Sequence, residues 1–280
     1  MTRRNPRSQR GFTLLEILIV LLILTIVMGV VFRDIDTVQK RYRTEEAKLD
    51  LTQESREFLD QSVRDLRQAG FPGQRLYAAN VLGPSGSPPG GVIDQNPLAA
   101  VGLVWVSAND LVFEGDVDGS GVVWSVRYTL QTGAGGTCPC IVQRSQVQKI
   151  NGDPRPKDLG GKQGTTYSIE LQNILNSNGL FAIAGNTTFP NGFTQANDAL
   201  YGPYKAAPLF SFFDANGVDI TAPANGGVLP LDATNAANRT LIGKIRSVQV
   251  NLNVLSPTTD IQTGMRPAVS MTSTARLTNY

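Results

Sequence analysis

An unbroken apolar segment near the N-terminus constrains this chain more than any other feature. Residues 12–32 are apolar apart from two threonines and one carboxylate, Glu16. At about 1.5 Å per residue, a helix of this length covers roughly 30 Å, the thickness of a bilayer's hydrocarbon core. An ionised side chain inside such a helix costs about 2.5–3.5 kcal/mol or more. The sequence therefore predicts a membrane-spanning helix in which Glu16 has a function.

The segment before this helix is strongly basic. It contains four arginines and no acidic residue, so the positive-inside rule predicts that this end stays in the cytoplasm and that the C-terminal bulk is exported. A secretory signal would carry small residues at a cleavage site after the apolar run, whereas here the charged stretch 33–36 follows. Any cleavage is therefore expected before the apolar segment. The alternative is an uncleaved signal anchor.

The residues at that position are Gly11, Phe12 and Glu16 behind a basic leader, and they resemble the prepilin-peptidase site of the type IV pilin family. The resemblance implies cleavage between Gly11 and Phe12, methylation of the new Phe12 amine, and retention of the hydrophobic helix in the mature protein. It also implies that Glu16 pairs with the terminal ammonium of a neighbouring subunit during assembly.

The charge and the residue content exclude several classes of function. The whole chain has a formal charge of +2 and an isoelectric point near 8.6. Removing the four leader arginines from the 25 basic residues leaves 21, against 23 acidic residues, which is a net charge of −2. The processed chain therefore lacks the basic excess of a non-specific nucleic-acid binder. With no histidine, histidine acid–base catalysis and histidine-ligated metals are excluded, and we expect a non-enzyme without a cofactor.

The helix is predicted to continue far beyond the apolar segment. No Pro or Gly interrupts residues 33–69, and the sequence 70–73, Gly-Phe-Pro-Gly, is a helix stop signal. A helix over 12–69 would be about 85 Å long. Apolar residues recur at three-, four- and seven-residue spacing and predict one stripe that packs on the rest of the protein. These residues are Ile35, Val38, Tyr42, Leu49, Leu59, Val63 and Leu66.

The remainder is rich in Gly, Asn, Thr, Ser and Pro with short apolar runs, which is typical of exported β-structure. The predicted strands are Leu103–Ser107, Leu111–Phe113, Val122–Leu130, Ile141–Val147, Leu180–Ala184, Leu209–Phe213, Ile245–Leu255 and Val269–Leu277, with a short helix at Ile169–Leu175. The predicted fold class is α+β, with a long N-terminal helix packed on a mostly antiparallel, β-rich, type IV pilin-like head. The predicted segments are a leader at 1–11, a transmembrane and assembly helix at 12–32, an amphipathic helix at 33–70 and an extracytoplasmic domain at 71–280.

The long helix is followed by a predicted hairpin around residues 116–119, an aromatic strand that runs into residues 213–217, and a last pair of strands that ends at residues 276–279. This order of elements is similar to PilW-type minor pilins and, more distantly, to J-type pseudopilins of type II secretion. It implies a minor pilin of the inner membrane that enters a pilus fibre and supports pilus assembly, motility, adhesion or DNA uptake. The implied partners are other pilins, prepilin peptidase and the inner-membrane assembly platform. A pseudopilin and a DNA- or ligand-binding competence or adhesion pilin remain as alternatives.

Two loops resemble the first half of a calcium-binding loop. Asp116, Asp118 and Ser120 stand at alternate positions with glycine at the sixth, but Arg127 occupies the twelfth position, where calcium loops carry Glu. A hairpin turn without metal is the other interpretation, since Asp-Gly is a favoured turn dipeptide. The same two interpretations apply to the loop 214–219.

Three further groups of residues have more than one interpretation. Cys138 and Cys140 are the only cysteines, and export favours a disulfide between them, with a redox role or an intermolecular bridge as alternatives. An aromatic group predicts either core packing or an exposed adhesive patch; it comprises Tyr201, Tyr204, Phe210, Phe212 and Phe213. The net charge argues against strong non-specific DNA binding, with a local DNA-binding patch as the alternative; its residues would be Arg144, Lys149, Arg155, Lys157 and Lys162.

Overall fold

A single long helix, α1, occupies Leu14–Arg67. Its last turn tightens, because the Gln68 and Ala69 N–H groups bond to carbonyls three residues earlier. Gly70 then adopts a left-handed backbone conformation, with φ of +80°, which ends the helix. The predicted stop signal is confirmed, and the helix ends two residues earlier than expected.

The computed structural model describes residues 13–77, 96–133, 136–150, 167–179, 181–183, 185–188, 194–220, 229–260 and 263–279. The chain separates into two compact units, Met1–Glu46 and Ala47–Tyr280. Within the first unit, the described residues from Leu14 onward are helical. The second unit contains the end of α1 and all the described strands.

The second unit is built on a nine-stranded sheet whose neighbouring strands are all antiparallel. Across the sheet the order is β10-β12-β6-β5-β3-β2-β1-β11, and β13 lies beside β12. The strands are β1 (Leu103–Val106), β2 (Asp110–Gly115), β3 (Trp124–Gln131), β5 (Cys140–Gln148), β6 (Tyr167–Ile174), β10 (Phe210–Phe213), β11 (Leu231–Asp232), β12 (Ser247–Leu255) and β13 (Ala268–Arg276).

Smaller elements complete the described part of the second unit. The strands β4 (Thr137–Cys138) and β7 (Ala182–Ile183) form a parallel pair, and β8 (Asn186–Thr188) and β9 (Thr194–Ala196) form an antiparallel pair. A 3₁₀ turn covers Gln74–Leu76, and two short helices follow later in the chain, α2 (Asn197–Ala206) and α3 (Ala236–Ile242).

One face of the sheet packs on the end of α1. Leu111 and Phe113 are two positions apart on β2, so their side chains point to the same face of the sheet, and they share the core with Leu59 and Leu66 of the helix. Phe58 meets the ring of Tyr128 edge-on, with the ring centroids 5.8 Å apart. The fold is therefore α+β, a long N-terminal helix followed by an antiparallel β-sheet head, as predicted.

The prediction of a helix at Ile169–Leu175 is wrong. These residues belong to β6 and its end, which lies between β5 and β12 inside the sheet. A short apolar run does not distinguish a strand from a helix by periodicity alone. The strand forms because β5 and β12 bond to its two edges.

The predicted packing of the apolar stripe of α1 is correct for only part of its length. Leu59, Val63 and Leu66 are buried, whereas Ile35, Val38 and Tyr42 are exposed. Leu49 is 71% exposed and Leu51 is 4% exposed. Side chains two positions apart on a helix differ by about 200° in direction, so these two leucines point to opposite sides. At this level of the helix the buried side is that of Leu51, and the predicted stripe is uncovered over residues 35–49.

The end of the chain returns to the end of α1, as the sequence predicts. Asn279 Nδ2 donates to the carbonyl oxygens of Arg67 (3.2 Å) and Ala69 (3.3 Å), and the Thr278 hydroxyl also reaches Arg67 O. These bonds satisfy carbonyls that a helix leaves free at its C-terminus.

Candidate functional site

Thr13 directly precedes the first helical residue of α1 and caps the helix. Its Oγ1 accepts a hydrogen bond from the Glu16 N–H (3.3 Å), while Glu16 Oε2 accepts from the Thr13 N–H (2.9 Å) and from the Thr13 hydroxyl (3.1 Å). This reciprocal arrangement is a capping box. It also places the carboxylate at the positive end of the helix dipole.

The capping box gives Glu16 a role that the sequence interpretation missed. The pattern Thr-x-x-Glu before an apolar run is its sequence signature, and Thr13 and Glu16 have that spacing. Only one carboxylate oxygen takes part, and no bond to Oε1 is formed within the described residues. The arrangement therefore leaves one oxygen of Glu16 for another donor.

Gly11 and Phe12, the predicted cleavage and methylation residues, lie outside the described residues.

The helix after Glu16 presents a continuous apolar surface. By length and composition α1 can cross a membrane, and its most apolar window has no buried residue. Every large apolar side chain from Leu14 to Phe32 is more than 40% exposed. A surface of this size on a helix is covered either by lipid or by other helices.

A buried polar contact joins the other end of α1 to the sheet. Asp65 Oδ2 accepts from the Tyr128 hydroxyl (2.7 Å) and from Arg144 Nε (2.9 Å), and it forms an ion pair with Arg144. The guanidinium also lies over the Tyr128 ring, 5.9 Å from its centroid. Burial, and then the negative charge of Asp65, raise the pKa of Tyr128 well above its ordinary value. The phenol is therefore a donor to Asp65.

These contacts remove two residues from the predicted basic patch. Arg144 is bound to Asp65, and Lys149 is fully buried, with its Nζ 2.7 Å from Glu114 Oε2 and 2.8 Å from Ala99 O. Neither side chain is available to a phosphate backbone, so a patch that includes them is wrong. The other three residues, Arg155, Lys157 and Lys162, lie outside the described residues.

The candidate calcium residues form a hydrogen-bonded turn between β2 and β3. Asp116 Oδ2 accepts from the Gly121 N–H (2.8 Å), Asp118 Oδ1 from the Ser120 N–H (3.1 Å), and Ser120 Oγ from the Val122 N–H (3.3 Å). The Ser120 hydroxyl, followed by its N–H, holds the pKa of Asp118 below its ordinary value. Each candidate ligand is therefore already bonded to the backbone through one oxygen.

Other features of this loop bear on the metal interpretation. Asp116 Oδ1 is buried and has no hydrogen-bond partner within the described part of the chain. Arg127, at the twelfth position, makes a two-point contact with Asp110 at 2.8 and 2.6 Å. Among the described residues, no group of three or more Cys, Asp or Glu side chains is placed to hold a metal ion.

The second candidate loop, 214–219, is also a hydrogen-bonded turn. Asp214 Oδ1 accepts from the Asn216 and Val218 N–H groups.

The cysteines and aromatics lie in the core of the second unit. Cys138 and Cys140 are joined by a disulfide, with 4.4 Å between their Cα atoms, and both are buried. Tyr201, Phe210 and Phe212 are buried, and Tyr204 packs against the same core. The packing interpretation therefore fits these four aromatic side chains, and Phe213 is half-buried at the end of β10.

The N-terminal segment matches one known family model. Residues 6–32 match the model described as the prokaryotic N-terminal methylation motif. No curated protein and no solved structure matches the chain significantly. The matched segment contains Gly11, Phe12, the Thr13–Glu16 capping box and most of the exposed apolar surface of α1. The motif, together with a long apolar helix followed by a β-sheet head, supports assignment of this chain as a type IV pilin or pseudopilin precursor.

Proposed function

We propose that this protein is a minor subunit of a type IV pilus. In this proposal, prepilin peptidase removes residues 1–11 and methylates the amine of Phe12, and the mature chain enters the fibre through α1. The observation that carries the proposal is the methylation motif at residues 6–32, which coincides with an exposed apolar helix. The protein acts as a structural subunit in the inner membrane and then in the fibre, with its head outside the cytoplasm.

Glu16 is the proposed assembly residue. Its Oε2 is held by Thr13, and Oε1 remains available to accept from the methylated ammonium of a neighbouring subunit. A carboxylate in hydrocarbon is tolerated when a cation pairs with it. Because the capping box fixes the side chain before the neighbour arrives, little rotamer entropy is lost on pairing.

The uncovered apolar stripe extends the same assembly surface beyond the membrane segment. Ile35, Val38 and Tyr42 are exposed, and their three- and four-residue spacing places them on one side of α1. Apolar side chains at this spacing fit the groove of a second helix. We assign this stripe to contacts with neighbouring pilins in the fibre.

The size of the head favours a minor subunit over a major one. Some 270 residues remain after cleavage, and a large head limits how closely subunits repeat along a helical fibre. Within the pilus, we place the protein in assembly and in the activities that depend on assembly, which are motility, adhesion and DNA uptake.

A pseudopilin of type II secretion is the second candidate, since the methylation motif supports both. The two functions differ in the final location of the mature protein. Shearing of cells releases a pilus subunit together with surface fibres, whereas loss of a pseudopilin stops export of a secreted protein and leaves surface fibres intact.

The full-length protein, expressed in its native host cells, is used to test the proposal. Gly11→Val is expected to leave the leader attached, which is read as the mass of the N-terminal peptide, and to keep the protein out of sheared fibres. Gly29→Ala is the matched control, because a Cβ at Gly29 meets nothing within 4 Å. Normal processing of Gly11→Val would overturn the assigned cleavage site.

Glu16→Ala separates assembly from cleavage. Cleavage is expected to continue, while the amount in sheared fibres falls by about tenfold or more, since loss of a pairing worth about 1.4 kcal/mol is already tenfold. Asp36→Ala is the control, because Asp36 lies on the same helix and forms an exposed ion pair with Lys40. Incorporation of Glu16→Ala at the level of this control would contradict the pairing.

A further inference from the structure

The last strand, β13, lies at an edge of the sheet of the second unit. It pairs with β12 from Ala268 to Arg276 over nine consecutive positions without a register shift. Within the described residues, no strand pairs with its other edge. A long, regular edge of this kind presents free backbone donors and acceptors.

The register identifies which backbone groups point away from β12. The Leu277 N–H bonds to Arg246 O and the Ser256 N–H bonds to Pro267 O, each at 2.8 Å. Pro267 and Leu277 are the odd-numbered residues that directly flank β13, and in an antiparallel ladder hydrogen-bonded positions alternate. The odd-numbered residues of β13 therefore face β12. The N–H and C=O groups of five residues face outward, namely Ala268, Ser270, Thr272, Thr274 and Arg276.

This edge lacks the features that normally prevent an edge strand from pairing with a strand of another chain. Natural edges are short or bulged, or they carry Lys or Pro. By contrast, residues 268–275 contain no charge, no proline and no bulge, and Arg276 is the first charged residue. At the opposite end of the main sheet, β11 has only two residues and one of them is Asp232. Of these two described edges, the β13 edge is therefore the one suited to pairing.

We propose that β13 pairs with β13 of a second copy of this chain, in an antiparallel ladder centred on Thr272. In this register Ser270 lies opposite Thr274, and Ala268 lies opposite Arg276, so no like charges face each other. All five outward residues meet outward residues of the other copy, which gives about ten main-chain hydrogen bonds. The pairing is two-fold symmetric and closes on itself, so it occupies both free edges.

A second copy fits this edge better than an unrelated strand, because the edge is complementary to itself. The exposed Ser and Thr side chains on both strands form polar cross-strand pairs. The interaction is independent of Phe12 methylation and of Glu16, since all the participating residues lie in the second unit.

Cysteine cross-linking in the full-length protein tests the register. Thr272→Cys places two cysteines opposite each other at the dyad, at a Cα separation of about 5.5 Å, which suits a disulfide. Mild oxidation in membranes is expected to give a covalent dimer. The native cysteines are already bonded to each other and buried, so they add no background.

Thr274→Cys is the matched control, on the same exposed side of the same strand. In the proposed register its partner is Ser270, and the two introduced thiols are four positions apart, about 13 Å. They cannot form a disulfide. Equal cross-linking of the two variants would overturn the register, and cross-linking of the Thr272→Cys variant to a different protein would overturn the choice of a second copy.

Proline substitutions separate pairing from folding. Thr272→Pro removes an outward N–H and is expected to abolish the β13-dependent dimer in detergent with little change in melting temperature. Ser273→Pro removes an N–H that faces β12 and is expected to lower the melting temperature. A dimer unaffected by Thr272→Pro would also overturn the proposal.

Discussion

Among the glycines that the structure describes, Gly115 has the least space for a side chain. A Cβ placed there would lie 2.4 Å from the Gln68 carbonyl oxygen and 2.9 Å from its carbon. The Gly70 N–H also bonds to Glu114 O at 2.9 Å. The end of α1 therefore lies directly against the end of β2, and only glycine permits this approach.

Gly115→Ala is expected to lower the free energy of unfolding by about 1–3 kcal/mol, because the backbone of either element must move. Chemical denaturation of the purified protein measures the change. Gly29→Ala is the control: its Cβ would meet nothing within 4 Å in the first half of α1, and replacing a helix glycine gains about 0.5–1 kcal/mol. Equal destabilisation by both changes would contradict the close approach.

Residue spacing revealed some of these roles and not others. The Thr13–Glu16 capping box could have been predicted, since its pattern is local and lies before an apolar run. The requirement for Gly115 could not, because it depends on Gln68, which is 47 positions earlier in the chain. The burial of Lys149 was equally hidden, since it depends on Glu114 and on the carbonyl of Ala99.

At the scale of elements, Asp65 joins α1 to β3 and β5. Asp65→Ala would leave Arg144 without its partner at a site where only 13% of the guanidinium-bearing side chain is exposed. Removing one partner of a buried pair costs about 3–5 kcal/mol. We expect a loss toward the lower end of that range, because the site keeps some access to water.

The measurement is the free energy of unfolding in denaturant, with Asp36→Ala as the reference. Asp36 and Lys40 form an exposed pair four residues apart on the same helix, and such pairs contribute about 0.3–0.5 kcal/mol. If the two variants are equally stable, Asp65 does not anchor the helix to the sheet.

The turn between β2 and β3 gives a prediction about calcium. We propose that it folds without metal, because Asp116, Asp118 and Ser120 already accept backbone hydrogen bonds. Millimolar calcium is expected to leave the melting temperature unchanged relative to a chelator. Asp116→Asn is expected to lower that temperature equally with and without calcium. A calcium-dependent rise that this variant abolishes would instead establish a metal site.

Long, regular elements were predictable from sequence and short or interior ones were not. The run from Leu14 to Arg67 and the alternation on β12 are strong local patterns, and both elements are observed. The strand β6 has a weak pattern and forms through pairing on its two edges. On α1, spacing alone grouped Leu49 with Leu59, but only the position of the sheet determines which side of the helix is covered.

At the level of the whole molecule, the methylation motif and the β-sheet lie in different parts of the chain. The first 32 residues contain the methylation motif, the capped glutamate and the apolar surface. The second unit contains the sheet and the β13 edge. Removal of residues 1–11 would also change the net charge from +2 to −2, so the mature protein is expected to be acidic although the precursor is basic.

The proposed function requires that this chain is cleaved before Phe12 and methylated there. Mass spectrometry of the N-terminal peptide of the native protein measures both modifications. We expect that the peptide begins at Phe12 and carries one methyl group on its amine, with residues 1–11 absent. A peptide that begins at Met1 or Thr2, or an unmethylated N-terminus elsewhere in the chain, would contradict it.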